Sequence, residues 1–244
     1  MNKTELIIEL QKIGLQKGME IEVHSSLSSF GYIEGGADTV IEALMECVGE
    51  NGGIFMPALC LSPELKLTEA DKSMGITSKI KVLPEDADKT AMGIIADTFR
   101  KRSDVITGKG VIRTAGWGRN AEQAAIGGLD HVIHNGGKAL LLGVDIYKLT
   151  SMHYVENILP KEISDIFAPT EEISKIYPAD EWFVETGTPP VKSWYTIQNL
   201  AYENGIFKDG YIGKCKYMFF DIWDVVSLYR KQLQKNPFKL YGLE

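Results

Sequence analysis

Residues 138–144 read KALLLGV, and no other stretch narrows the fold as much. An almost wholly apolar run of this kind belongs in the middle of a sheet, buried on both faces. Helices must then cover it from either side. The rest of the chain supplies them in alternation. Thr4 to about Leu15 reads as a helix with Leu6, Ile7, Leu10 and Ile13 on one face and Thr4 as its N-cap. EIEVH (20–24) reads as a strand, Ala37–Val48 as a helix, and GGIFMP as a strand stopped by Pro57. Residues 60–90 read as a long irregular excursion, of the kind that is often functional. MGIIADTFRKR and RNAEQAAIG read as helices, with SDVIT between them a short strand or turn. EEISKIYP and the stretch to Pro190 read as β-structure with loops; SWYTIQNLAYENG is a helix ended by Gly205. KCKYMFFD is a strand and IWDVVSLYRKQLQ a final helix. This order predicts an α/β fold, with a mixed, largely parallel central sheet flanked by helices. Nothing reads as a linker, so residues 1–244 are expected to form one domain.

The balance of charge excludes some partners. A net charge of -7 over 244 residues leaves no basic stripe for phosphate backbones, so nucleic acid is not expected. Three scattered cysteines without CxxC spacing suggest a reducing compartment rather than a disulfide framework. The N-terminus is an amphipathic helix rather than a signal peptide, and no apolar run reaches the ~20 residues of a membrane span. A cytoplasmic protein with no membrane partner is expected.

The apolar run leads into LTSMHYVENILP. Thr150, His153 and Glu156 follow one another at three-residue spacing, which puts them on one helical face. An imidazole beside a carboxylate is either an inert structural pair or a general base with its orienting partner. Position favours the second reading, because α/β folds place their sites at the carboxyl ends of strands.

VHSSLSSFGYIEGG also joins a strand to a helix. It carries Ser25, Ser26, Ser28 and Ser29, then Gly35 and Gly36 just before the helix. Hydroxyls and free backbone amides at such a junction make an anion cradle, although the spacing matches neither dinucleotide-binding nor P-loop glycine patterns. The same residues also suit a plain turn. His24 ends the strand and either lines a pocket or takes a backbone partner. His131 and His134 read as a polar helix end and lack further ligands at metal-site spacing, so no metal is expected. No G-x-S-x-G elbow occurs, so an α/β-hydrolase nucleophile is missing. Trp117, between two glycines, either lies over the substrate, with Thr150 as a further candidate on that side, or is an ordinary packing tryptophan.

Three stretches in this order resemble the aminoglycoside 3-N-acetyltransferase family: VHSSLSSFGYIEGGADTVIEALMECVGENGGIFMPAL, DKTAMGIIADTFRKR, and LLLGVDIYKLTSMHYVE with its T-x-x-H-x-x-E. The likeness runs from about residue 4 to 160, with a weaker echo in the C-terminal helices. It implies acetyl-coenzyme A as cosubstrate and a small-molecule amine, that of an amino sugar, as acceptor. It implies that His24, Ser25, Ser26, Ser28, Ser29, Gly35 and Gly36 hold coenzyme A. His153 would take the proton of the attacking amine and Glu156 would orient the ring. Two places depart from the family pattern. Ala58 stands after Met-Pro where a threonine is usual, and VIRTAGWGRNAEQAA keeps Arg113, an acceptor-side candidate by this likeness, but lacks the family's His-Pro and serine. The departures fall on the oxyanion and acceptor sides. They keep open a coenzyme A-binding member with a different acceptor or without transfer activity. A metal hydrolase using His131, His134 and His153 is a third reading, and a homodimer is left open.

Overall fold

The first helix shows how local chemistry sets an element's limits. In the computed structural model, which describes residues 1–188 and 192–244, α1 spans Lys3–Lys12. Its N-cap is Asn2, not Thr4. Asn2 accepts from the Glu5 amide at 2.9 Å while Glu5 accepts from the Asn2 amide, a reciprocal capping box. Then come β1 (Glu20–Ser25), α2 (Gly36–Val48) and β2 (Gly53–Pro57). The excursion is not irregular throughout. It holds α3 (Glu69–Ser73), started by a Thr68–Asp71 capping box, and β3 (Ile76–Lys81). After these come α4 (Gly93–Phe99), β4 (Ile106–Thr107), β5 (Thr114–Gly118), α5 (Ala121–Gly127), α6 (Asp130–His134) and β6 (Lys138–Leu142).

Beyond the 3-10 segment Thr150–Ile158 the chain is more helical than its sequence suggests. EEISKIYP forms α8 (Glu171–Ile176), capped by Thr170, after α7 (Lys161–Phe167); β-structure begins only at β7 (Trp182–Thr186). The end of that expected β-stretch, at Pro190, lies outside the described residues. The chain closes with α9 (Ser193–Glu203), β8 (Lys208–Ile212), β9 (Cys215–Asp221), α10 (Ile222–Lys235) and α11 (Pro237–Leu240).

Seven strands form the main sheet in the order β4-β5-β2-β1-β6-β9-β8, and β3 pairs with β7 in a separate two-stranded sheet. The mixed α/β class holds. Parallel pairing, however, is confined to β2-β1-β6, and every outer pairing is antiparallel, so the sheet is less parallel than the alternation implies. Helix-linked strands pair parallel at the centre, whereas β8 and β9 are joined by a tight turn that permits only antiparallel pairing.

The KALLLGV strand is central, as its composition demands, and Ala139–Leu142 are wholly buried. Leu140 and Leu142 face a core built with α1, α2 and α4; Ala139 and Leu141 face a second core with α9, α10 and the segment after Leu149. β1 splits in the same way. Ile21 and Val23 join the first core, while Glu22 and His24, in register with Ala139 and Leu141, point toward the second.

Candidate active site

β1 and β6 are parallel neighbours, with Ser25 in register with Leu142. Their carboxyl ends therefore open at the same edge of the sheet, the position where α/β folds build sites. The serine turn leaves one strand there and the Thr150–Ile158 segment follows the other. The Ser26 amide donates to Leu142 O at 2.8 Å and ties the two exits together. Gly143, at φ 72, turns β6 away close against Ser29, where a Cβ would collide with the serine.

The Thr150–Ile158 segment is 3-10, not α-helical. With three residues per turn, side chains at i and i+3 eclipse, so the spacing stacks Thr150, His153 and Glu156 in one column. His153 Nδ1 lies 2.6 Å from Glu156 Oε2. The imidazole side chain is 63% exposed and its partner 34%. The His153 ring stands edge-on to Trp194 of α9, with centroids 4.8 Å apart. Partial burial lowers the ring's pKa, but the Glu156 hydrogen bond and the nearby Glu156, Glu185 and Glu22 carboxylates outweigh it and hold it above the ordinary histidine value. With Nδ1 donating to Glu156, the lone pair of the neutral ring is on Nε2. An oriented imidazole of raised basicity that solvent can reach is equipped to accept a proton.

Other groups near the pair were not legible in the sequence. Glu185 on β7 is half-buried, and burial, then the Glu156 and Glu64 charges, push its carboxyl up. It arrives through the pairing of β7, which falls in the stretch read as β-structure, with β3, which falls in the excursion read as irregular, so no local signal joined Glu185 to the pair. Tyr147 stacks on Tyr195 at 5.2 Å, and Lys192 Nζ sits 4.9 Å over the Tyr147 ring. These rings, with Trp194, give the neighbourhood of His153 an aromatic side.

The serine turn is a 3-10 turn over Leu27–Phe30. Ser26 and Ser28 hydroxyls are 3.1 Å apart and reach solvent. Ser29 is spent internally, donating to Ser26 O at 2.6 Å and lying 3.1 Å from Cys215 Sγ. Ser25, at the strand end, is half-buried. Gly35 and Gly36 both have positive φ, and α2 begins without a side-chain cap. The first amides of this 13-residue helix therefore lack intrahelical acceptors, as an anion-holding N-terminus requires.

His24 is only 7% exposed, and its Nε2 lies 2.7 Å from Glu22 Oε1 and 3.2 Å from the Thr150 amide. It faces the floor of the His153 segment. Thr150 sits at the start of that segment, half-buried. Trp117 packs against the first core, on the opposite face of the sheet from His153, and so takes no place beside the pair. Arg113 is buried. It donates to Ala58 O at 3.0 Å and pairs with Glu85 at 3.1 Å, which makes it a brace for the β2–β5 end. His131 engages Asn120, Asn135 and Glu20, while His134 engages Tyr154. Among the described residues no group of three or more potential ligands could hold a metal ion.

The aminoglycoside 3-N-acetyltransferase family model matches residues 23–234. An aminoglycoside N(3)-acetyltransferase III from Salmonella sp is 24% identical over 93% of this chain and 89% of its own length. The fold is shared with two solved structures. AAC-IIIb in binary complex with CoASH superposes with a TM-score of 0.69 at 20% identity, over 96% of this chain and 97% of that one. A histidine-to-alanine mutant of AAC(3)-IVa in complex with a gentamicin gives 0.70 at 22% identity, over 97% and 90%. The match spans both core layers and the His153–Glu156 column, and this chain belongs to the aminoglycoside 3-N-acetyltransferase family.

Proposed function

We propose that the protein transfers the acetyl group of acetyl-coenzyme A to an amine of an aminoglycoside or related amino sugar, with His153 as general base. The observation that carries this reading is the exposed His153 ring, its Nδ1 held by Glu156 at 2.6 Å. An amino group protonated in water must lose a proton to become a nucleophile. Its nitrogen then forms a bond to the thioester carbonyl carbon, and His153 Nε2 takes the N–H proton. The carbon–sulfur bond breaks as the tetrahedral intermediate collapses. The thiolate takes the proton back from the imidazolium and leaves as free coenzyme A. No protein nucleophile is needed, consistent with three buried, unpaired cysteines. Free thiols also suit a reducing, cytoplasmic setting. Ser25, Ser26 and Ser28, with the α2 N-terminus, would hold coenzyme A.

Release of free thiol from acetyl-coenzyme A, followed across a panel of aminoglycosides and amino sugars, tests this. His153→Ala should lower kcat by ~10² or more with the protein still folded. Unchanged turnover in that variant would remove His153 from the role. A second reading, a coenzyme A-binding protein without transfer activity, draws support from Ala58. It is fully buried, bonds to Arg113 through its backbone, and offers no hydroxyl for an oxyanion. Tight coenzyme A binding with no thiol release from any amine would favour that reading.

A further inference from the structure

Glu22 lies mid-strand in β1, the central strand, and is 0% exposed. Its neighbours in register are Phe55 and Ala139, both in the apolar second core. A carboxylate there is expensive, and an apolar side chain of similar size would serve packing better. Glu22 Oε1 meets His24 Nε2 at 2.7 Å and accepts from the Ser151 amide at 3.2 Å. Among the described residues no lysine or arginine pairs with Glu22, Oε2 has no partner, and neither has the buried Ser151 hydroxyl. Glu20, two residues back on the same face, is a useful contrast. Arg119 and Asn120 both donate to it, and it braces the far end of the strand in the ordinary way.

Glu22 and His24 point instead at the beginning of the segment that carries His153. Leu149, at that segment's N-cap, has no side chain able to accept from the first amides. The Ser151 amide donates to Glu22 Oε1, and His24 Nε2–H, which donates to the same oxygen at 2.7 Å, lies 3.2 Å from the Thr150 amide. The strand thus supplies the cap that the local sequence lacks. It also places negative charge at the segment's amino end, where charge of that sign is favourable. His153 follows Ser151 by two residues.

We infer that Glu22, itself held by His24, is a positioning residue, which clamps the first turn of the Thr150–Ile158 segment from beneath and so holds His153 in register with Glu156 and Trp194. The inference rests on the reading of His153 as the base. It explains why a poorly partnered carboxylate is kept in an apolar layer: it serves the site above it rather than the stability of the sheet.

A stability role and a positioning role predict opposite results for Glu22→Leu and Glu22→Gln. The full chain of each variant would be followed by thermal unfolding, by steady-state thiol release, and by NMR titration of the four histidine rings. Clamping predicts for Glu22→Leu a kcat lower by about 10-fold or more, with KM for acetyl-coenzyme A within about twofold of the parent, and for Glu22→Gln, whose amide oxygen still accepts from Ser151, a smaller loss. It also predicts a thermal midpoint for the leucine variant equal to or above that of the parent. The charges facing His153 are Glu156 on its own segment, Glu185 from β7 and Glu22 from β1. In Glu22→Gln the His153 titration should therefore move to lower pH, with Glu156 and Glu185 intact. If the leucine variant does not fold, the displacement of the His153 titration in the glutamine variant decides the question. Parent-like kcat together with an unmoved His153 titration would overturn the clamp. Should His153→Ala itself retain full turnover, the base reading falls. The NMR displacement then still decides whether Glu22 acts on His153.

Discussion

Glu156 has two effects on His153 that pull against each other. It fixes the ring with the lone pair on Nε2, and it raises the pH at which that nitrogen becomes free to accept a proton. The acid limb of kcat/KM against pH should therefore lie above the ordinary histidine value of 6.5. Glu156→Gln should shift that limb to lower pH and reduce the plateau, because the ring loses its counter-charge and its orientation together. A limb that stays in place would detach Glu156 from the titration. The pair adds little to stability. A histidine whose pKa is raised on folding stabilises the fold below about 6.5 and loses that contribution as pH rises through the folded value. With the His153 side chain 63% exposed, the effect should stay within about 0.5 kcal/mol, so the thermal midpoint of Glu156→Gln should barely change. The column itself was legible, since three-residue spacing is a property of sequence. Glu22 was not. EIEVH shows its alternation, but nothing local says that the polar positions of this strand turn inward.

Among the elements, the β3–β7 sheet matters beyond its size, because it delivers Glu185 to the neighbourhood of His153. Its own small core is Ile76, Ile173 and Val184. Beside that core, Asp71 is 1% exposed and is held by Lys79, Tyr177 and the Thr68 amide. The Lys79 hydrogen bond, then that from Tyr177, keep the Asp71 carboxyl well below the usual carboxylate range. Its contribution is present above the unfolded carboxylate pKa of about 3.9 and is lost as pH falls through the lower folded value. Lys79→Ala would leave Asp71 buried without its cation, at a cost of about 3–5 kcal/mol. Hydrogen exchange should show the loss concentrated in residues 68–81 and 182–186. Protection unchanged there would mean that the ion pair is dispensable. The sequence concealed β3 and the pairing, though it showed β-structure in the stretch that holds β7. ITSKIK and WFVET are short and partly charged, and each becomes a strand only because the other lies beside it. The helix at Glu171–Ile176 was concealed for a different reason: its six residues hold too few turns to display a period.

At the scale of the whole molecule, composition and periodicity reached the fold class and the long elements. The apolar β6, the α2 helix between two strands, and the amphipathic α10, with Ile222, Val225, Val226, Tyr229 and Leu233 buried, announce themselves. Strand order does not, because direction of pairing is settled by connections and by which faces remain to be covered. That order has a consequence for biosynthesis. Ile21 pairs with Lys138, and Lys138 in turn pairs with Asp221. The middle of the sheet thus waits for partners made much later, and the hydrophobic layer under His153 waits for α10. Folding of this kind is governed by distant contacts and is slow to commit. A chain ended at Gly213 would lack β9 and α10. It should show no cooperative melting transition and should bind a hydrophobic dye, whereas a sharp transition would show that the N-terminal part folds alone. On the ribosome, the nascent polypeptide would carry a half-built interior exposed until α10 emerged, and chaperones would have their longest hold on it there.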